Sequence, residues 1–161
     1  MNAKRHTTSH SLLSLCGWLF LTFTAASSGY FVRPDGWYAA LNKPSWNPPS
    51  WLFGPAWTLL YILMAVAAWL VWKEGGWKKQ GTALGLFLLQ WALNALWTPL
   101  FFGLHRPDLA LLDIALLWAS IIATLIAFLR VKRAAGLLLI PYLVWVTFAA
   151  FLNFTIWRMN G

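Results

Sequence analysis

Five apolar stretches divide this chain, Ser11 to Phe31, Trp51 to Trp72, Thr82 to Phe102, Leu109 to Leu129 and Gly136 to Trp157, and each has the length of a bilayer crossing. A helix of about 21 residues, rising about 1.5 Å per residue, reaches roughly 31 Å and matches a hydrocarbon layer of about 30 Å. A membrane β-barrel would need strands of about ten residues that alternate polar and apolar, and these runs do not alternate. Composition argues the same way. Of 161 residues 60 % are apolar and 10 % charged, whereas a soluble domain carries roughly 25 % charged residues. The connecting segments are too short for a soluble domain. The expectation is an all-α membrane protein, a five-transmembrane-helix bundle forming one domain over residues 1–161, with helices near 11–31, 51–72, 82–102, 109–129 and 136–157.

The net charge of +8 raises the question of nucleic acid, and placement of the charges answers it. With alternating sides, Lys4, Arg5, Lys73, Lys78, Lys79, Arg130, Lys132 and Arg133 fall on one side, and Arg33, Lys43, Arg106 and Arg158 on the other. In a bacterial membrane, the expected setting, such a bias places the richer side in the cytoplasm, giving a cytoplasmic N-terminus and an external C-terminus. A nucleic-acid surface would gather basic residues on one face beside stacking aromatics. Here they bracket apolar spans, and no nucleic-acid partner is expected.

Residues 1–28 have the outline of a signal peptide, with basic Lys4 and Arg5, an apolar run and small residues from Ala25 to Ser28. The run continues to Phe31 with Trp18 in its middle, which favours a retained span. Cys16 is the single cysteine. It allows no intramolecular disulfide and reads as a small packing residue, since bulky Leu15 before it argues against lipidation. No internal repeat is evident. The segment 32–50 is longer than bundle connections usually are, and its run Lys43-Pro44-Ser45-Trp46-Asn47-Pro48-Pro49 should be stiff and extended. It reads either as an interfacial aromatic anchor or as a lid over a cavity.

Tryptophan supplies 13 of the residues. Trp37, Trp46, Trp51, Trp72, Trp77 and Trp157 fall in loops or at span ends, where the headgroup region favours an indole. Trp18, Trp57, Trp69, Trp91, Trp97, Trp118 and Trp145 fall within spans, and their N–H groups need partners that lipid lacks. Helical spacing sorts some of them into faces: Phe53, Trp57 and Tyr61; Gln90, Asn94, Trp97 and Phe101; Pro141, Trp145, Ala149 and Leu152, with Asn153 beside them. Flat rings with a few amides suit a planar apolar ligand with a few polar atoms, or else they pack the bundle and bond across helices.

Asp113 is the one charged residue inside a span and should face protein or reach the interface, in a structural role or a proton or ligand role. His6, His10 and His105 lie in the tail or a loop, so no metal site and no axial haem ligand is expected, and Asp113 has no carboxylate partner nearby in sequence. Rings or relays of charge that would mark a channel or pump are missing. Gly81 to Gly85 and Ala25 to Gly29 have small-residue spacing that allows close backbone approach, between copies or within the chain.

A further set of residues appears in order: Trp37-Tyr38 with Leu41, Lys43-Pro44, Trp46 and Pro48-Pro49; Pro55-Ala56-Trp57 with Tyr61; Gln90, Asn94, Leu96-Trp97-Thr98-Pro99 and Phe101-Phe102-Gly103; Pro141-Tyr142, Trp145, Phe148-Ala149 and Leu152-Asn153. From about Ser11 to Arg158 the chain resembles the TspO/MBR family, the tryptophan-rich sensory proteins of bacteria and the mitochondrial translocator proteins or peripheral-type benzodiazepine receptors. The resemblance implies a five-helix bundle, often dimeric, that binds porphyrins such as protoporphyrin IX and haem, isoquinoline carboxamides and benzodiazepines, and in animals cholesterol. It implies no obligatory cofactor. It carries ligand-site roles onto Ser28, Tyr38, Pro48, Trp57, Asn94, Trp97, Trp145, Ala149 and Leu152. Trp57 and Trp145 match tryptophans linked to light-dependent porphyrin breakdown in some members, so a degrading enzyme, or a transporter of tetrapyrroles or sterols, stands beside a sensory role. The sterol-recognition segment has tyrosine where this chain has Phe154, although Arg158 remains, which leaves sterol specificity open.

Overall fold

The computed structural model describes the backbone of residues 2–31 and 36–161 and the side chains of residues 11–29 and 36–161. Arg33 and the side chains of Lys4, Arg5, His6 and His10, which entered the charge and metal arguments, lie outside that description.

Helices account for all the regular structure among the described residues: α1 (Asn2–Thr24), α2 (Ser27–Phe31), α3 (Gly36–Ala40), α4 (Phe53–Trp72), α5 (Gly76–Thr98), α6 (Pro107–Val131), α7 (Arg133–Leu137) and α8 (Ile140–Asn160). Five stretches have the length and apolarity of membrane spans: Ser11–Gly29, Ser50–Trp72, Gly76–Gly103, Pro107–Val131 and Arg133–Asn160. The chain is an integral membrane protein of the all-α class. Helix α1 packs on α4, α5 on both α4 and α6, and α6 on α8.

Two spans are interrupted where their residue types supply alternative hydrogen bonds. The first breaks at Ala25-Ala26. There Thr22 and Ser28 hydroxyls donate to the carbonyls of Leu19 (3.0 Å) and Ala25 (2.9 Å), and Ser27 donates to Thr24 (2.6 Å), a competition that tightens or ends a helix. The third ends in a wide π turn over Pro99–Gly103. Pro99 has no N–H to donate, and its carbonyl accepts from Leu104 N at 2.9 Å, five residues on. Both irregularities widen the same end of the bundle.

The opposite end is packed solid. Met64, Ala65, Ala67, Ala68, Val71, Leu84, Phe87, Phe128 and Leu139 are fully buried there. The alanines let the helices approach, and Phe87 stacks on Phe128 (centroids 5.9 Å) while meeting the edge of Trp18 (5.5 Å). At this end Lys132 Nζ bonds Glu74 Oε1 at 2.8 Å, joining the α4–α5 turn to the end of α6. The lysine draws the Glu74 carboxyl below its ordinary range. A depressed folded value means that this bridge adds stability above the unfolded carboxylate range and loses it as pH falls through the lowered value; fully exposed, it adds little.

Cys16 is exposed on the outer face of α1, so it does not serve as a core packing residue. Among the small-residue pairs, a Cβ at Gly81, Gly85 or Gly29 would meet nothing within 4 Å. These glycines therefore do not serve close packing within the chain.

Residues 36–52 cross the wide end. Pro49 is extended (φ −64°, ψ 144°), with its φ fixed by its own ring, and it in turn disfavours helix at Pro48 before it. Asn160 holds this segment to the end of α8: its Oδ1 accepts from Asn42 N and its Nδ2 donates to Asn42 O, both at 2.9 Å. Trp37 stacks on His105 (4.4 Å), and Trp46 meets the edge of Phe148 (5.9 Å). Asn160→Ala is expected to reduce amide-exchange protection of residues 41–50 about tenfold, with the spans unaffected. Unchanged exchange would mean that the aromatic contacts alone secure the segment.

Candidate functional site

The irregular end encloses a cavity of about 590 Å³, within the usual range of about 300–1,000 Å³ for small-molecule pockets. Its walls come from every span. Phe23, Ala25, Ala26, Ser28 and Gly29 contribute from the broken first span; Phe53, Trp57 and Tyr61 from α4; Asn94, Trp97, Phe101 and Phe102 from α5 and its π turn; Ile114 and Leu117 from α6; Trp145, Ala149, Leu152 and Asn153 from α8. Tyr38, Asn47, Pro48 and Ser50 line it from the crossing segment.

All nine positions singled out from the sequence, Ser28, Tyr38, Pro48, Trp57, Asn94, Trp97, Trp145, Ala149 and Leu152, line this one cavity. Of the helical faces read from spacing, Phe53, Trp57 and Tyr61 all face in, whereas Gln90 lies buried behind the wall and Pro141 is exposed. Ile114, Leu117, Val146 and Ile156 also line it and carry no polar or aromatic signal. On helix α6 the residues that mark the inward face by helical spacing, Asp113, Ser120 and Thr124, are polar, while the cavity-lining Ile114 and Leu117 beside them are apolar like the lipid-facing leucines.

The rings form two connected sets. Trp57 stacks on Tyr61 (5.4 Å) and meets Trp145 edge to face (6.4 Å, 81°). Trp97 stacks on Phe101 (5.0 Å), and Tyr38 meets Phe102 at 5.1 Å. Lys43 Nζ sits 4.7 Å from the centroid of the Tyr38 ring. Burial, opposed by the nearby Asn47 side chain, pushes the Tyr38 phenol above its ordinary range, so it remains neutral.

Hydrogen bonds give the site a polarity. Trp97 Nε1 donates to Asn153 Oδ1 (3.0 Å), and Asn153 Nδ2 donates to the Pro107 carbonyl (2.8 Å). An indole only donates and a carbonyl only accepts, so this chain runs in one direction. Tyr61 donates to Asn94 Oδ1 at 3.2 Å, leaving the amide nitrogen as the free end of Asn94. Trp69, Trp91 and Trp118 donate to Ser11 O, Leu21 O and Thr147 Oγ1, each at 2.9 Å. Trp57 and Trp145 have no such partner among the described residues. The cavity wall thus combines flat apolar rings with indole and amide donors. Among the described residues no three His, Cys, Asp or Glu side chains come together.

Comparison with known proteins fits this architecture. Residues 12–158 match the model of the TspO/MBR family. The chain is 48 % identical over 151 residues to the tryptophan-rich protein TspO of Chlorobaculum tepidum, covering 92 % of this chain and 95 % of that one. It is 46 % identical to the tryptophan-rich sensory protein of Cereibacter sphaeroides, covering 88 % and 91 %. It is also 45 % identical to the human translocator protein, covering 81 % and 79 %. With nearly its full length matched and its spans converging on one aromatic chamber, the chain belongs to the TspO/MBR family.

Proposed function

We propose that this protein binds a flat ring system with hydrogen-bond acceptors on its edge, a porphyrin such as protoporphyrin IX or haem, or a benzodiazepine- or isoquinoline-type compound, and that occupancy serves tetrapyrrole-linked signalling or stress regulation. One observation carries the reading: a ring-walled space in which the N–H groups of Trp57 and Trp145 and the amide nitrogen of Asn94 stand as donors, with the Asn47 amide oxygen as an acceptor in the crossing segment. A carboxylate or carbonyl satisfies such a set, and rings lie well against rings. No iron ligand is invoked, so haem and metal-free porphyrin bind by the same stacking and shape. The Gly81 and Gly85 face of α5 suits a second copy of the chain, and the bias of basic residues suits a bacterial membrane with a cytoplasmic N-terminus and an external C-terminus.

Protoporphyrin is expected to quench the tryptophan fluorescence of the purified protein saturably. Trp57→Phe combined with Trp145→Phe keeps two rings but removes two donors, so affinity should fall about tenfold or more. Equal affinity would remove this cavity as the site.

The contiguous rings of Tyr61, Trp57 and Trp145 favour a second reading, in which light and dioxygen degrade the bound porphyrin through a tryptophan radical. Constant spectra of the complex under illumination in air would dismiss it. A transport role predicts porphyrin or sterol flux into proteoliposomes in proportion to protein. Binding without flux would exclude that role.

A further inference from the structure

The solidly packed end of the bundle carries a surface that the cavity does not use. Two connections meet there, Lys73 to Gly75 between α4 and α5 and Lys132 between α6 and α7, and the bond from Lys132 Nζ to Glu74 Oε1 at 2.8 Å fastens one to the other. With the residues that flank them, they set six basic side chains, Lys73, Lys78, Lys79, Arg130, Lys132 and Arg133, against the single carboxylate of Glu74. That carboxylate is already given to Lys132. The other acidic side chains among the described residues lie elsewhere: Asp108 pairs with Arg106 at the wide end, and Asp113 is buried within α6.

Local geometry holds three of these cations around one turn. Gly75 (φ 128°) and Gly76 (φ 58°) adopt the left-handed region that side chains disfavour, and the reversal lays the stem of Lys79 across Gly75, where a Cβ would stand 2.5 Å from Lys79 Cδ. Lys73 precedes Glu74 and holds its ammonium over the Trp69 ring, 3.4 Å from the centroid. Lys132 completes the group from the end of α6. The Gln80 side chain donates to the Glu74 carbonyl at 3.3 Å and secures the turn. Like charges gathered in this way repel one another, and an anion between them recovers that free energy.

We infer that this surface docks the headgroup of an anionic phospholipid from the surrounding bilayer. It lies where two apolar spans end, at Trp72 and Leu129, which is the level at which a bilayer presents its phosphates. Its neighbours face outward and are apolar: Trp77 is 47 % exposed, Leu129 37 % and Leu137 48 %. An indole at headgroup depth and leucines beside acyl chains suit a lipid, whereas a soluble acidic partner has no use for them. Each basic group beside a membrane span strengthens attraction to an anionic surface by about fivefold. Cations from two connections act on one headgroup because the Lys132–Glu74 bond holds the connections together. A zwitterionic headgroup carries an ammonium of its own, which the lysines repel, so the surface distinguishes lipids by net charge.

Native mass spectrometry of the full chain, in neutral detergent with an equimolar mixture of phosphatidylglycerol and phosphatidylcholine of identical acyl chains, reads this preference. The first lipid retained should be phosphatidylglycerol by about fivefold or more. Lys73→Gln combined with Lys79→Gln, both at exposed positions, should cut the preference to about twofold or less. Arg106→Gln combined with Arg158→Gln removes the same charge at the other end and should leave the preference intact. Equal retention of both lipids by the unmodified protein overturns the proposal and leaves the basic surface to a soluble acidic partner. Equal losses in the two double variants overturn it as well, because net charge and not this surface would then decide. So does displacement of the lipid by an excess of glycerol phosphate, which would make the ligand a free phosphate ester.

Discussion

Adding one methyl group at Gly136 is expected to lower stability by about 2 kcal/mol, a fall of roughly 4–8 °C in unfolding midpoint for a chain of this size. Helix α6 stops at Val131, Lys132 turns extended (φ −154°, ψ 114°), and α7 folds back at once against the helix it has left. Gly136 is buried at the point of closest approach. A Cβ there would run into the Leu129 side chain and stand 2.9 Å from the Leu129 backbone nitrogen. The leucine can change rotamer, but the backbone must move, and moving it parts α7 from α6. Little hydrophobic gain offsets the loss, because in lipid the separated helices remain in an apolar solvent and packing dominates. Gly17→Ala supplies the contrast. Its Cβ meets nothing within 4 Å on an exposed face of α1, and alanine improves helix propensity by up to about 1 kcal/mol, so its midpoint should equal or exceed that of the wild type. Thermal unfolding of both variants in one detergent checks this, and equal midpoints would refute the packing argument.

The spans were legible because lipid imposes one simple demand, length and apolarity together, and the sequence meets it five times with charged residues confined largely to the gaps. The inward faces were legible only where residue type varies around the helix. Phe53, Trp57 and Tyr61 on α4, and Trp145, Ala149 and Leu152 on α8, repeat at helical spacing, and all six line the cavity. The same logic fails for Ile114 and Leu117 on α6, which are aliphatic like the leucines that face lipid on the same helix, and on α1, where nothing local distinguishes outward-facing Cys16 from buried Trp18. The break at Ala25-Ala26 depends on hydroxyls choosing backbone partners, which composition alone does not determine. The bond from Trp97 to Asn153 depends on how α5 and α8 lie across the cavity, and periodicity within either helix says nothing about that. Local pattern therefore revealed which side chains belong to a cavity. Long-range packing decided which of them still have a hydrogen bond to give.

Asn94→Leu should reduce the affinity for protoporphyrin about 30-fold, because it removes a donor to a charged acceptor and leaves the Tyr61 hydroxyl without the oxygen it bonds. Trp97 cannot substitute, since its N–H is already given to Asn153. Tyr61→Phe tests the same arrangement from behind. Without the phenol to hold Asn94 Oδ1, the amide is free to turn its oxygen toward the cavity and repel a carboxylate part of the time, a loss of about five- to tenfold. The two variants share one signature that a damaged fold lacks. A porphyrin whose carboxylates are replaced by alkyl groups offers no edge acceptor, so its weaker, stacking-driven affinity should be the same for wild type, Asn94→Leu and Tyr61→Phe in fluorescence titration. Parallel losses for both porphyrins would mean that the substitutions distort the aromatic walls and that the cavity does not select ligands by their acceptors. Losses confined to the carboxylate-bearing porphyrin would identify selection by one-directional hydrogen bonding, with Tyr61 setting its direction through Asn94.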